Sequence, residues 1–221
     1  THTEDRTVLI TGGATRIGKH IALGLAKDGW NVAVHYNESE SEAVDLLQSL
    51  KNMGVKSVAV KANLAHEDST INLIATIRKE LGNIHGLVNN ASMFSFDRPE
   101  QFDRSNLEKH MAVNLYAPLR LTSEFAKQIP QNELGCVINL LDQKTHNLNS
   151  DFFSYTLSKV ALETATKLFA SALGPKLRVC GLAPGITLPS GEQTDSGFET
   201  AHKLAPLGKS SVPEDIVSAV K

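Results

Sequence analysis

The chain has 221 residues, of which 41% are hydrophobic and 21% charged, a balance that fits one packed globular domain and excludes a disordered chain. Acids exceed bases by 24 − 22 = 2, so no general field draws nucleic acid or an anionic membrane. No apolar run approaches the roughly 18 residues that a bilayer span requires, and Cys136 and Cys180 are too few for a disulfide framework. Both thiols are expected to be free and buried, as in a cytoplasmic protein. The polar N-terminus, without Met or a signal core, reads as a trimmed end.

Taken in chain order, short β-branched runs alternate with helical periodicity. Thr7–Thr11 predicts a strand, 16–28 a helix, Asn31–His35 a strand, 39–53 a helix and Lys56–Val60 a third strand. A helix over 67–81 and a strand over Ile84–Asn89 follow. Next comes a long helix over 107–129, interrupted by Pro118, and a strand over Cys136–Leu141. A helix over 155–173 and a strand over Arg178–Leu182 complete the pattern. Ser211-Val212-Pro213-Glu214-Asp215 opens a last helix, with Ser211 as its expected cap. Strands alternating with helices of this length predict an α/β fold: a doubly wound parallel sheet covered on both faces, in a single domain over 1–221. Ligands in such sheets bind beyond the carboxyl ends of the strands, so the residues just after each strand carry the functional information.

After the first strand comes Thr11-Gly12-Gly13-Ala14-Thr15-Arg16-Ile17-Gly18. Gly12 permits a tight turn, Gly18 allows close packing, and the helix N-terminus presents N–H groups to a pyrophosphate. Arg16 stands where many such turns have a third glycine, and a cation there is expected to face phosphate or substrate. At the end of the second strand, His35-Tyr36-Asn37 has no immediate acid to grip ribose hydroxyls, which favours NADP over NAD. Glu38, one residue further, acts in the opposite sense.

Tyr155 and Lys159 stand at i and i+4, on one helix face. A phenol has an ordinary pKa of about 10, and a neighbouring ammonium favours phenolate, bringing it into working range.

With these motifs the chain resembles the short-chain dehydrogenase/reductase family from about Thr7 to Lys221. The resemblance rests on the glycine turn, Asn89-Asn90-Ala91-Ser92 after the fourth strand, Asn114 in the long helix, Tyr155/Lys159, and Pro184-Gly185 after the sixth strand. It implies that Tyr155 donates the proton, that Lys159 also holds the nicotinamide ribose, and that Asn114 anchors a water relay. It further implies that Asn90, Ala91, Pro184, Gly185 and Ile186 line the cofactor site, with Asn63 and Leu64 near the adenine. A homotetramer and a seventh strand beyond Lys221 are implied as well, so the chain is expected to lack its tail.

Three departures narrow the resemblance. The serine usual thirteen residues before the tyrosine is Asp142, the third glycine is Arg16, and Asn-Asn-Ala is followed by Ser92. With Phe94 and His35-Tyr36, this combination resembles the pteridine reductase branch, which includes bacterial dihydromonapterin and dihydrofolate reductases. A carboxyl group at 142 suits the N–H donors of a pterin or a proton relay better than a carbonyl oxygen. Phe94 is placed to stack on a flat bicycle, with Arg16, Ser92 and Tyr155 beside it. The segment 186–206 is expected to form a substrate loop, and the eight histidines show no metal-ligand spacing. An NADPH-dependent reductase of a dihydropterin or dihydrofolate is therefore expected. A carbonyl reductase acting on a 3-oxoacyl group and a non-catalytic NADP-binding sensor remain the alternatives.

Overall fold

The computed structural model describes residues 5–189 and 209–221. The strands are β1 (Thr7–Ile10), β2 (Asn31–Tyr36), β3 (Ser57–Lys61), β4 (Gly86–Asn89), β5 (Gly135–Leu140) and β6 (Leu177–Leu182). All pair in parallel, in the order β3-β2-β1-β4-β5-β6. The helices are α1 (Arg16–Lys27), α2 (Glu40–Asn52), α3 (Glu67–Leu81), α4 (Arg104–Met111), α5 (Ala117–Gln128), α6 (Phe153–Leu173) and α7 (Pro213–Val220). The chain builds β1 to β3 in one direction and then returns to lay β4 against β1. That reversal opens a crevice at the carboxyl ends of β1 and β4.

Alternation along each strand divides the core in two. Leu9, Ala33, Leu87 and Val137 pack with Leu73, Ile77, Leu121 and Phe125 of α3 and α5. Val8, Ile10, Val32 and Val34 pack with Ile21, Leu46 and Ile216 of α1, α2 and α7. A sheet buried on both faces explains why its strands read as continuous apolar runs.

Three expectations need correction. The long helix is broken at 112–116, where the backbone takes a π-helical turn between α4 and α5. Pro118 lies in the first turn of α5 and has no N–H to give to the turn before it, so the break falls upstream of the proline. Cys136 is half-buried and Cys180 is exposed, because β6 forms the edge of the described sheet. Ser211 does not cap α7. Pro213 takes the first helical position, Val212 becomes the cap residue, and its N–H donates to the Asp215 carboxylate at 2.9 Å. The Ser211 hydroxyl instead pairs with that of Thr187 at 2.7 Å. Of the expected substrate loop, 186–189 are described and the remainder lies outside the described residues.

A buried polar chain fastens α6 to the sheet. Asn89 Nδ2 donates to Asn139 Oδ1 at 2.8 Å, and Asn139 Nδ2 donates to Thr166 Oγ1 at 2.9 Å. Asn139 is 1% exposed, so removing its amide strands the Asn89 donor in a dry layer. Asn139→Ala is expected to cost about 1–3 kcal/mol, read as a lowered urea midpoint; an unchanged midpoint would show that the chain carries no load.

Candidate active site

The glycine turn is held from behind. Gly12 has φ +59°, in the left-handed region that glycine enters without steric cost. Its N–H donates to His35 Nδ1 at 3.0 Å, and His35 Nε2 lies 2.9 Å from the Ala62 carbonyl oxygen. Because Nδ1 accepts, the ring proton sits on Nε2 and donates to Ala62. Burial lowers the pKa of this imidazole and keeps it neutral. The His35 side chain, expected to meet cofactor, is thus committed on both nitrogens to the protein and supports the turn. From the other side, Asn90 Nδ2 donates to the carbonyls of Thr11 and Gly12, each at 3.0 Å. The N–H groups of Asn90 and Ala91 both donate to Thr11 Oγ1 at 3.0 Å. A Cβ on Gly18 would lie 2.2 Å from the Gly12 carbonyl oxygen and 2.7 Å from Asn90 Nδ2. Gly18 therefore packs on the turn and on Asn90, where the sequence suggested contact with the strand.

Arg16 has φ +49°, which explains why a glycine suits this position; a side chain there costs ~1–2 kcal/mol. Its guanidinium donates to the Pro189 carbonyl at 2.7 Å, bridging the turn to the segment after β6. One arm of the crevice, of ≈ 390 Å³, is lined by Gly12, Thr15, Tyr36, Asn37, Glu38, Asn63 and Leu64. The other, of ≈ 750 Å³, is lined by Arg16, Ile17, Ser92, Phe94, Asp142, Tyr155, Lys159 and Pro184–Ile186, among others. The two arms share Gly12, Thr15, Ala91 and Ser92. Apart from Gly18, Asn89 and Asn114, the candidate site residues read from the sequence thus line or close one crevice.

In the larger arm, Tyr155 Oη donates to Asp142 Oδ2 at 2.7 Å. The other oxygen of Asp142 accepts the Lys144 N–H at 2.8 Å. Lys159 is 3% exposed and donates to the Leu140 carbonyl at 2.7 Å, with its nitrogen 5.7 Å from the Tyr155 ring centre. Burial, and then the charge and hydrogen bond of Asp142, push the Tyr155 phenol well above its ordinary range. The expectation of a phenolate drawn out by Lys159 is reversed: the carboxylate stands against the hydroxyl, and the ammonium binds main chain. Burial lowers the Lys159 pKa to about 8, with Asp142 partly opposing that fall.

Asn114 is fully buried inside the π-helical turn. Its Oδ1 accepts the Met93 N–H at 2.7 Å, and its Nδ2 donates to the Met93 carbonyl at 2.9 Å and to Ser158 Oγ at 3.0 Å. The side chain holds 92–93 against α6. Ser92 Oγ lies 3.3 Å from Asn114 Oδ1.

The sequence reading missed Phe152 and Lys144. Phe152 has φ +56° and stacks on Phe94 with ring centres 4.2 Å apart. One face of the ring expected to receive a substrate is therefore covered by protein. Phe94 also meets Tyr155 edge-on at 4.7 Å. The Lys144 ammonium is 5.8 Å from the Phe152 ring centre and donates to Asn149. The one available signal was the aromatic pair Phe152-Phe153 closing a polar loop just before Tyr155.

A buried ammonium leaves a mark on stability. With the Lys159 pKa at about 8 in the folded chain against 10.5 ordinarily, the folded state binds fewer protons across that interval, so stability rises with pH there. Below about pH 8 the burial cost is fully present. Relative to Lys159→Met, the parent's urea midpoint is expected to climb between pH 8 and 10; parallel midpoints would contradict a depressed ammonium.

Comparison with known proteins places the fold among reductases. The alternative dihydrofolate reductase FolM of Brucella canis, crystallised with NADP, superposes with a TM-score of 0.94 at 38% identity, over 98% of this chain and 86% of that one. An uncharacterised oxidoreductase of Methylorubrum extorquens is 30% identical over 98% of this chain and 89% of its own. A 3-oxoacyl-[acyl-carrier-protein] reductase of Staphylococcus epidermidis is 29% identical over 82% of this chain and 75% of its own. Residues 6–198 match the family model for short chain dehydrogenase, and the chain belongs to that family.

Proposed function

We propose that this protein is an NADPH-dependent reductase of a dihydropterin, acting on a ring C=N bond to give the tetrahydro form. The observation that carries the proposal is the Asp142 carboxylate beside the Tyr155 hydroxyl in the larger arm of the crevice. A carboxylate accepts the N–H donors of an aminopyrimidinone ring and repels the oxyanion that a ketone develops. The NADP complex of the similar Brucella protein supports the same reading.

The crevice suits the cofactor. The Thr15 hydroxyl makes no hydrogen bond to the first turn of α1, leaving those N–H groups without a side-chain cap at the positive end of the helix. A Cβ on Gly12 would lie 3.0 Å from the Ala91 Cα, so glycine lets the turn sit directly against Ala91. Tyr36, Asn37 and Asn63 would take the adenosine end, and Lys159, Pro184 and Ile186 the nicotinamide end. Bound there, NADPH supplies the hydride.

The protein's own part is the proton. Tyr155 stays protonated through the neutral range because burial, and then Asp142, oppose its ionisation. A nitrogen that has just received a hydride at its neighbouring carbon is strongly basic, so a weakly acidic phenol suffices as donor. Lys159, behind the Tyr155 ring, offsets the negative charge left on the Tyr155–Asp142 pair. Arg16, Ser92 and Phe94 would hold the substrate ring at the mouth of the same arm.

Following NADPH oxidation with dihydromonapterin, dihydrobiopterin, dihydrofolate and a 3-oxoacyl thioester tests the proposal. Turnover of at least one pterin is expected, with kcat falling about 10²–10⁴-fold in Tyr155→Phe. Turnover of the thioester alone would favour a carbonyl reductase, and cofactor binding without turnover a sensor.

A further inference from the structure

The catalytic helix begins without a cap of its own. Phe152 occupies the cap position of α6 and has no side-chain oxygen, and no local side chain accepts from the first N–H groups. The missing acceptor comes from 57 residues upstream. Asp97 Oδ1 and Oδ2 accept the Ser154 N–H at 3.0 and 3.2 Å, and Oδ2 also accepts the Ser154 hydroxyl. The Asp97 carbonyl takes the Phe153 N–H at 3.3 Å. Asp97 is 9% exposed and Ser154 is fully buried, so this carboxylate is committed to the helix end, where the dipole also favours it. Asn106 Nδ2 supplies one more donor at 3.0 Å.

The cap belongs to a longer seam. The segment carrying Asp97 runs beside the one that opens α6, joined by the Phe94–Phe152 stack on one side of Asp97 and the Arg98–Asp151 ion pair at 2.9 Å on the other. Phe152 keeps its left-handed backbone inside that seam, and such strain persists only where the surroundings over-determine it. Tyr155 follows Ser154 directly, so what fixes Ser154 fixes the start of the turn that aims the phenol at Asp142.

We propose that Asp97 is a positioning residue for the reaction: by capping α6 at Ser154 it sets Tyr155 Oη against Asp142. The inference rests on the reading of Tyr155 as proton donor, and it reaches a residue that touches neither substrate nor cofactor. Asp97→Asn keeps one acceptor oxygen but loses the second and the charge. Its kcat, counted per NADPH-binding site, is expected to fall about 10²-fold, with the NADPH Kd within about twofold of the parent. A residue that only stabilised the fold would lower the number of binding sites and leave kcat per site unchanged.

Ser154→Ala removes one donor to the same carboxylate and is expected to act in the same direction, more weakly. In the Asp97→Asn background it should add little, as for residues acting as a unit. A second readout is independent of turnover: the Tyr155 phenolate absorbance, taken as the ultraviolet difference from Tyr155→Phe, is expected to stay absent up to about pH 11 in the parent and to emerge below that pH in Asp97→Asn. A titration superimposable on the parent's, or parental kcat per site in the folded variant, would overturn the proposal. Should Asp97→Asn fail to fold, the same two results in Ser154→Ala decide it. A parent inactive on every pterin would count against the functional reading alone, because the titration still reports the position of Tyr155.

Discussion

The hydrogen bond from Tyr155 Oη to Asp142 Oδ2, at 2.7 Å, is the contact on which the chemistry of this molecule turns. It joins the end of β5 to the first turn of α6. Burial and this carboxylate keep the phenol protonated, and under the proposed function the carboxylate would favour substrate N–H donors over a developing oxyanion. The buried ammonium of Lys159 lies behind the pair, tied to the Leu140 carbonyl, and supplies the compensating positive charge in a dry setting.

The rest of the fold reads as support for that contact and for the turn opposite it. Asn139 and Thr166 pin α6 to the sheet from below. Asn114 ties the 92–93 backbone to Ser158 of the same helix. Asp97 caps the helix end. Across the crevice, His35 and Asn90 hold the Gly12 turn from either side. Two non-glycine residues with left-handed backbone, Arg16 and Phe152, line the larger arm of the crevice. Their cost of ~1–2 kcal/mol each is offset by the Pro189 bridge and the Phe94 stack respectively, a distribution of strain typical of functional sites.

The β/α alternation, the crevice and most of its lining were legible in the sequence because they depend on local periodicity and on where strands end. What escaped depends on contacts between distant segments. His35 stands at the end of an apolar strand and looked available to a ligand, but only the fold brings the Gly12 N–H and the Ala62 carbonyl to its two nitrogens. The π-helical turn at 112–116 was visible as a disturbance at Pro118, and its place upstream of the proline required the hydrogen-bond register. Lys159 was expected to act on Tyr155 from their i, i+4 spacing; the Leu140 carbonyl, not encoded in that spacing, claims the ammonium instead. Phe152 was marked only by the aromatic pair before Tyr155, because its importance lies in Phe94, fifty-eight residues earlier in the chain. Cys180 read as buried from its apolar run, and its exposure follows from standing on an edge strand.

Substrate preference in Asp142→Ser tests the role of the carboxylate most directly, by comparing kcat/KM for a dihydropterin with that for a 3-oxoacyl thioester in parent and variant. If the Asp142 carboxylate selects N–H donors and opposes oxyanions, the pterin-to-ketone ratio should fall by about 10²-fold or more. A ratio unchanged by the substitution would contradict it.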